Sequence, residues 1–287
     1  MRTLDYLFGS GATMQPAAIA AVAVALLCGL LSPLVVLKRM AFIGQGVSHA
    51  AFGGVGVAAV LGLFATGAVG GGTPLAAYGV VALFCIGSAL VIGTLSRRSG
   101  VSEDTAIGVL LVASMALGFL LLQVHRGRPG AASISVESIL FGDVATTGPV
   151  EAGMAWGVLL LSATALWLAR RPLLFWAFDE PVAESLGVRV EWVRGLLMVL
   201  LAVAIVVTMQ LAGVILATAM LVLPGAAALQ LTRRLVPAFV LTIGMSLVGV
   251  VAGLILSFET DWQPGPNIAL VYVAMFALAR AVSVLRR

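Results

Sequence analysis

Gln45 and His49 are the two residues of this chain whose types and spacing most directly suggest chemistry. They lie in MAFIGQGVSHAAFGGVGV, residues 40–57, a stretch otherwise apolar enough to sit in lipid. Four residues apart on a helix, they share one face about a turn from each other, an amide oxygen beside an imidazole. Such a pair can offer two ligands to a borderline divalent cation, and the set does not choose between Zn, Mn and Fe(II). An imidazole at bilayer depth is costly, so it is either satisfied by a neighbouring helix carbonyl or lines a route across the membrane. This stretch alone leaves both readings open. The amide at position 45 carries no charge, so a cation is held more weakly there than beside a carboxylate. Weak holding suits transport, which needs release as well as capture.

The elements that must position this pair are membrane helices. Of the 287 residues 61% are hydrophobic and only 10% charged, with a mean hydropathy of +1.15. Soluble domains carry roughly 25% charged residues, so the fold class is all-α, a polytopic helical membrane protein in a single domain, 1–287. A spanning helix needs about 20 apolar residues, and the hydrophobic runs place spans near 15–37, 41–63, 75–95, 105–124, 151–169, 193–210, 212–231, 236–257 and 267–285. That gives eight to nine spans. Glycines and polar residues interrupt the second, which is expected to be broken or partly re-entrant where it lines a cavity. Almost no polar residue marks the border between the sixth and seventh. Cys28 and Cys85 lie inside apolar runs without CxxC spacing and read as small core residues, not as a disulfide or metal site. The first fourteen residues lack the charged-then-apolar order of a secretory signal and include Asp5, so no cleavage is expected there.

The basic residues follow the membrane and do not point to nucleic acid. With the amino terminus outside and the carboxyl terminus in the cytoplasm, the inner loops hold Lys38, Arg39, Arg97, Arg98, Arg170, Arg171, Arg189, Arg194, Arg233, Arg234, Arg280, Arg286 and Arg287. Arg2, Arg126 and Arg128 remain outside. This is the asymmetry of the positive-inside rule. The outer acids Glu137, Asp143, Glu151, Glu259 and Asp261 form a mouth that would concentrate cations. In SFETDWQPGP, Glu259 and Asp261 are the candidates to touch metal, although Pro and Gly equally suit an ordinary loop. His125, beside Arg126, reads as interfacial.

Two connections exceed simple turns. The outer one, 125–150, contains ESILF, a short surface helix. The inner one, 170–192, contains FDEPVAESLGVRVEW, a short helix with legible ends: Asp179 caps it, Pro181 suits its first turn and Gly187 closes it. Val182, Ala183 and Leu186 share one face, Glu180 and Glu184 another. A helix of this kind either packs under the bundle or receives force from a cytoplasmic partner. In SEDTAIG, Ser102 reads as a helix cap.

Rival chemistries fail on their own requirements. Ser48 and His49 are adjacent, so on a helix they diverge and form no nucleophile–base pair. HExxH is absent, and so is the GxxxxGK of a phosphate loop; the chain reads as a transporter and not an enzyme, with any ATPase site on another chain. Gly53, Gly54 and Gly56 are explained by close helix packing. A secondary transporter or channel for a cation is the alternative, but no Asp or Glu lies near the middle of any span, where proton-coupled carriers place one.

Six segments in order resemble the membrane permease subunit of the zinc, manganese and iron ABC importers: PLVVLKRMAFIGQGVSHA, SEDTAIGVLLVASMALG, ILFGD, ESLGV, QLAGVILATAMLVLPGAAA and DWQPGPNIAL. The chain is more distantly similar to the vitamin B12 and siderophore permeases. The resemblance implies a type II importer fold in a bacterial inner membrane. It implies a homodimer forming the translocation pathway, a separate cytoplasmic ATPase and an extracytoplasmic metal-binding protein. The metal is the transported substrate, and no cofactor is held permanently. Asp179, Glu180, Ala183, Ser185, Leu186, Gly187 and Val188 match the family's coupling helix, which docks on the ATPase. His49 matches a pathway histidine in the pattern Gly-Asp-x-x-x-His, with Gln45 standing where the family usually has Asp. Asp261 also matches a family position.

Overall fold

The computed structural model describes residues 15–63, 74–98, 100–127, 136–142, 147–232 and 234–286. Arg2, Asp5, Arg128, Asp143, Arg233 and Arg287 lie outside them, as does the side chain of Glu137. The helices are α1 (Gln15–Leu37), α2 (Ala41–Val60), α3 (Pro74–Arg98), α4 (Glu103–Arg126), α5 (Val136–Phe141), α6 (Pro149–Leu168), α7 (Arg170–Phe178), α8 (Glu180–Ser185), α9 (Val190–Leu231), α10 (Leu235–Thr260) and α11 (Pro264–Leu285). Among the described residues there is no strand, and nine helical stretches are long and apolar enough to cross a membrane. Their bounds follow the hydrophobic runs to within a few residues.

One expectation is overturned. The second span is neither broken nor re-entrant, because Ala41–Val60 is a continuous helix. Its glycines serve packing. A Cβ at Gly46 would meet Ile107 of α4, one at Gly54 would lie 3.0 Å from the Val81 backbone of α3, and one at Gly56 would lie 3.0 Å from the Gly118 backbone of α4. Small residues let helices approach closely where apolar burial offers no gain over lipid. The glycine interruption is therefore a contact surface.

The unmarked border of the sixth and seventh spans is a chain reversal inside α9. Its helical geometry breaks at Gly213 (φ 72, ψ 170), near the start of the second of its two limbs, Val190–Met209 and Leu211–Leu231. Arg194 in the first limb lies close enough to Lys38 to act on its charge, and Gly225 in the second donates its N–H to Ser32 Oγ at 2.9 Å. Both limbs therefore run beside the far end of α1, and the chain doubles back at Gly213. A positive φ with extended ψ is essentially a glycine conformation. A Cβ there would also overlap Leu140 and Gly142 at the end of α5.

The two limbs of α9 form the middle of the bundle. On one side it packs on α2 and α3, which with α4 form a subgroup. On the other it packs on α1, α6, α10 and α11. Leu197, Leu201, Ile205, Leu216 and Met220 are among its fully buried side chains.

Candidate functional site

The site is set by the two faces of α2. Of the nine membrane-length helices α2 is the most enclosed, with 78% of its central window buried, and α3, α4 and α9 surround it. Against that background Gln45 is exposed and His49 only half-buried, with Phe42 exposed a turn below. Ser48, next to His49 but turned away from it, is buried and donates to the Gln45 carbonyl at 2.9 Å. The His49 Nδ1 atom is buried and has no hydrogen-bond partner among the described residues. This removes the carbonyl-bonded alternative for that nitrogen. A buried polar atom without a partner is uncommon in folded proteins and calls for one from outside the described residues, such as water, an ion or another chain. Gln45 and His49 thus project together from the one open stretch of an enclosed helix.

The acids at the other end are not brought to this pair. His49 stands eight residues into α2, about 12 Å above its start. Glu259 and Asp261 are exposed at the far end of α10, where Asp261 takes a left-handed conformation (φ 57) that closes the helix. Among the described residues no three His, Cys, Asp or Glu side chains converge as a metal cage. His125 is buried (5% exposed), where the sequence suggested an interfacial residue. Cys28 and Cys85 are free and buried, as expected of core residues.

At the arginine-rich end the short helix forms as its sequence dictates. Asp179 Oδ1 accepts from the Val182 N–H at 3.3 Å, Pro181 sits in the first turn, and Gly187 (φ 80) ends the helix, with the Val188 N–H on the Ala183 carbonyl at 3.0 Å. Ala183 is buried against the bundle. Val182, Ser185 and Leu186 are exposed, Leu186 by 61%. Glu180 and Glu184 do not share one environment: Glu180 pairs with Lys38 at 3.8 Å, while Glu184 is open to solvent.

Lys38 is the residue that sequence reading passed over as one more inner cation. Its ammonium lies 4.3 Å from the centre of the buried Trp176 ring and 3.8 Å from Glu180, three residues before α2 begins. Burial pushes this amine below its usual range; Glu180 pulls it back up, and Arg194 pushes it further down. Arg194 is itself paired with Glu103 at the start of α4. The short helix is thereby tied to the base of the helix that carries His49. Only the position of Lys38, directly before α2 in sequence, hinted at this.

Comparison with known proteins identifies the family. The ABC 3 transport family matches residues 10–283. The chain is 35% identical over 267 residues to the manganese transport system membrane protein MntC of Halalkalibacterium halodurans, covering 93% of this chain and 86% of that protein. It is 29% identical over 273 residues to the chelated iron transport system membrane protein YfeD of Yersinia pestis, covering 93% and 84%. The solved structure of PsaBC from Streptococcus pneumoniae in complex with Fab superposes with a TM-score of 0.83 at 26% identity, over 99% of this chain and 98% of that one. This membrane-spanning, all-helical chain belongs to the ABC 3 transport family.

Proposed function

We propose that the chain is the transmembrane subunit of an ATP-driven importer of a divalent transition metal, manganese or iron before zinc, since manganese and iron are what the similar proteins are named for. It works as a homodimer in the bacterial inner membrane, amino terminus outside, and the metal is its substrate. One observation carries this reading: His49, with its unpartnered Nδ1, beside exposed Gln45 on the open stretch of an otherwise enclosed helix. A single chain supplies too few donors to strip a cation of its water. A second copy facing the first across this stretch doubles the donors and covers it.

Glu259 and Asp261 belong to the outer mouth, where they attract cations arriving from an extracytoplasmic binding protein. Residues 179–188 dock on a separate ATPase through Val182, Ser185 and Leu186. Movement of that helix pulls on Lys38 through Glu180 and so tilts the base of α2, opening the His49 level alternately to either side. The test is uptake of radioactive Mn and Fe by cells making His49→Ala at normal levels together with its ATPase. Loss of uptake supports the reading, and unchanged uptake removes His49 from the mechanism.

A further inference from the structure

The side of the bundle away from α2 carries a cavity. About 310 Å³ in volume, it is lined by Leu30 and Leu34 of α1, Leu166 of α6, Leu173 of α7 and Phe239 of α10, and its one polar lining residue is Arg170. A volume of this size is that of a small-ligand pocket, and the lining suits hydrocarbon. Arg170 places its guanidinium 5.0 Å from the centre of the Trp167 ring. Arg170 and the adjacent Arg171 are both exposed, and neither pairs with a carboxylate among the described residues. The cavity mouth thus holds Arg170 where an apolar helix ends, and Arg171, next in the chain, adds a second exposed cation nearby.

We propose that this cleft binds one anionic phospholipid, with an acyl chain in the cavity, its phosphate on Arg170 and the charge of Arg171 adding to the attraction from nearby. Three observations single out lipid over protein. The flanking helices α6 and α10 present Leu160, Leu161, Val236 and Val240 outward, each at least 60% exposed, as a surface meant for acyl chains. In the dimer proposed above the second copy sits at the polar pair on α2, which packs chiefly with α3, α4 and α9. Basic pockets between spanning helices at headgroup level are the recurring site for anionic lipid headgroups. The leaflet follows from the orientation proposed above; the lipid selectivity does not depend on it or on metal transport.

The experiment is native mass spectrometry of the full-length transporter, released from detergent carrying equal amounts of phosphatidylglycerol and phosphatidylcholine. One phosphatidylglycerol per chain is retained over phosphatidylcholine by about thirtyfold, the selectivity expected of two basic groups near a membrane surface. Arg170→Gln with Arg171→Gln brings the two lipids to equal retention without changing Tm, because both side chains are on the surface. Ala163 of α6 also lines the cavity, and Ala163→Trp, which fills it, removes the retained lipid although both arginines remain. Equal retention by the unaltered protein, or undiminished phosphatidylglycerol preference in the double Gln variant, overturns the proposal. So does efficient disulfide cross-linking between two copies through Trp167→Cys, which would put a second chain on the cleft.

Discussion

The two faces of α2 follow opposite rules. Towards α3 and α4 it is all contact: Gly46, Gly54 and Gly56 bring neighbouring backbones within reach of where a Cβ would stand. At Gln45 and His49 it is open, with a buried nitrogen left unpartnered. In lipid, where burying apolar surface gains nothing over the solvent, close approach is what holds helices together. The helix is thus clamped along one face, and the other is free to carry chemistry. A substitution on the first face should cost fold, and one on the second should cost only transport.

The clamp can be broken hardest at the reversal that fixes α9 behind α2. Gly213→Ala forces a side chain into a positive φ and into the Leu140 and Gly142 backbone, at a cost on the order of 4 kcal/mol, and folded protein recovered from membranes should fall to a trace on size-exclusion chromatography. His49→Ala should reduce metal uptake by at least about tenfold while moving stability by less than about 1 kcal/mol, as uptake assays and thermal unfolding would show. Gln45→Asp sharpens the same face: equilibrium binding of Mn should tighten as the charge returns, and turnover should fall because release slows. Gly56→Val tests the opposite face and should lower stability by about 2 kcal/mol through overpacking against Gly118, with Mn affinity of the surviving folded protein unchanged.

The smallest effect is electrostatic and sits at the base of α2. Burial depresses the Lys38 amine from its ordinary value of 10.5. Between the depressed value and 10.5 the unfolded chain binds more protons than the folded one, so stability rises with pH across that interval. Thermal unfolding scans at alkaline pH should show this increment in the unaltered protein and lose it in Lys38→Met. Glu180→Gln removes the partner that pulls the amine upward, so the increment should begin at a lower pH.

Much of the fold was legible because each span is an apolar run ended by arginine, glycine or proline, and lipid admits few other structures for such runs. The ends of the short helix were legible for the same local reason, since Asp179, Pro181 and Gly187 act within one turn. The reversal at Gly213 was not, because a turn inside an apolar run needs no polar residue when α5 supplies its contacts. Glycines within Ala41–Val60 misled because small residues for close packing and small residues for a broken helix look alike in sequence. The Gln45–His49 pair was visible as spacing, but which face it occupied depends on helices remote in sequence. The Lys38–Glu180 pair was invisible for that same reason, Lys38 having read as one more inner cation and Glu180 as part of the family's coupling helix.

Lys38 also happens to be the chain's one lysine. Its ε-amine, with a side chain only 14% exposed, is wedged between the Trp176 ring and Glu180. An amine-selective reagent therefore has a single side-chain target in the whole protein, and a shielded one. Labelling speed at that atom becomes a clock for how often the short helix α8 lifts away, readable by peptide mass without introducing a cysteine or a fluorophore.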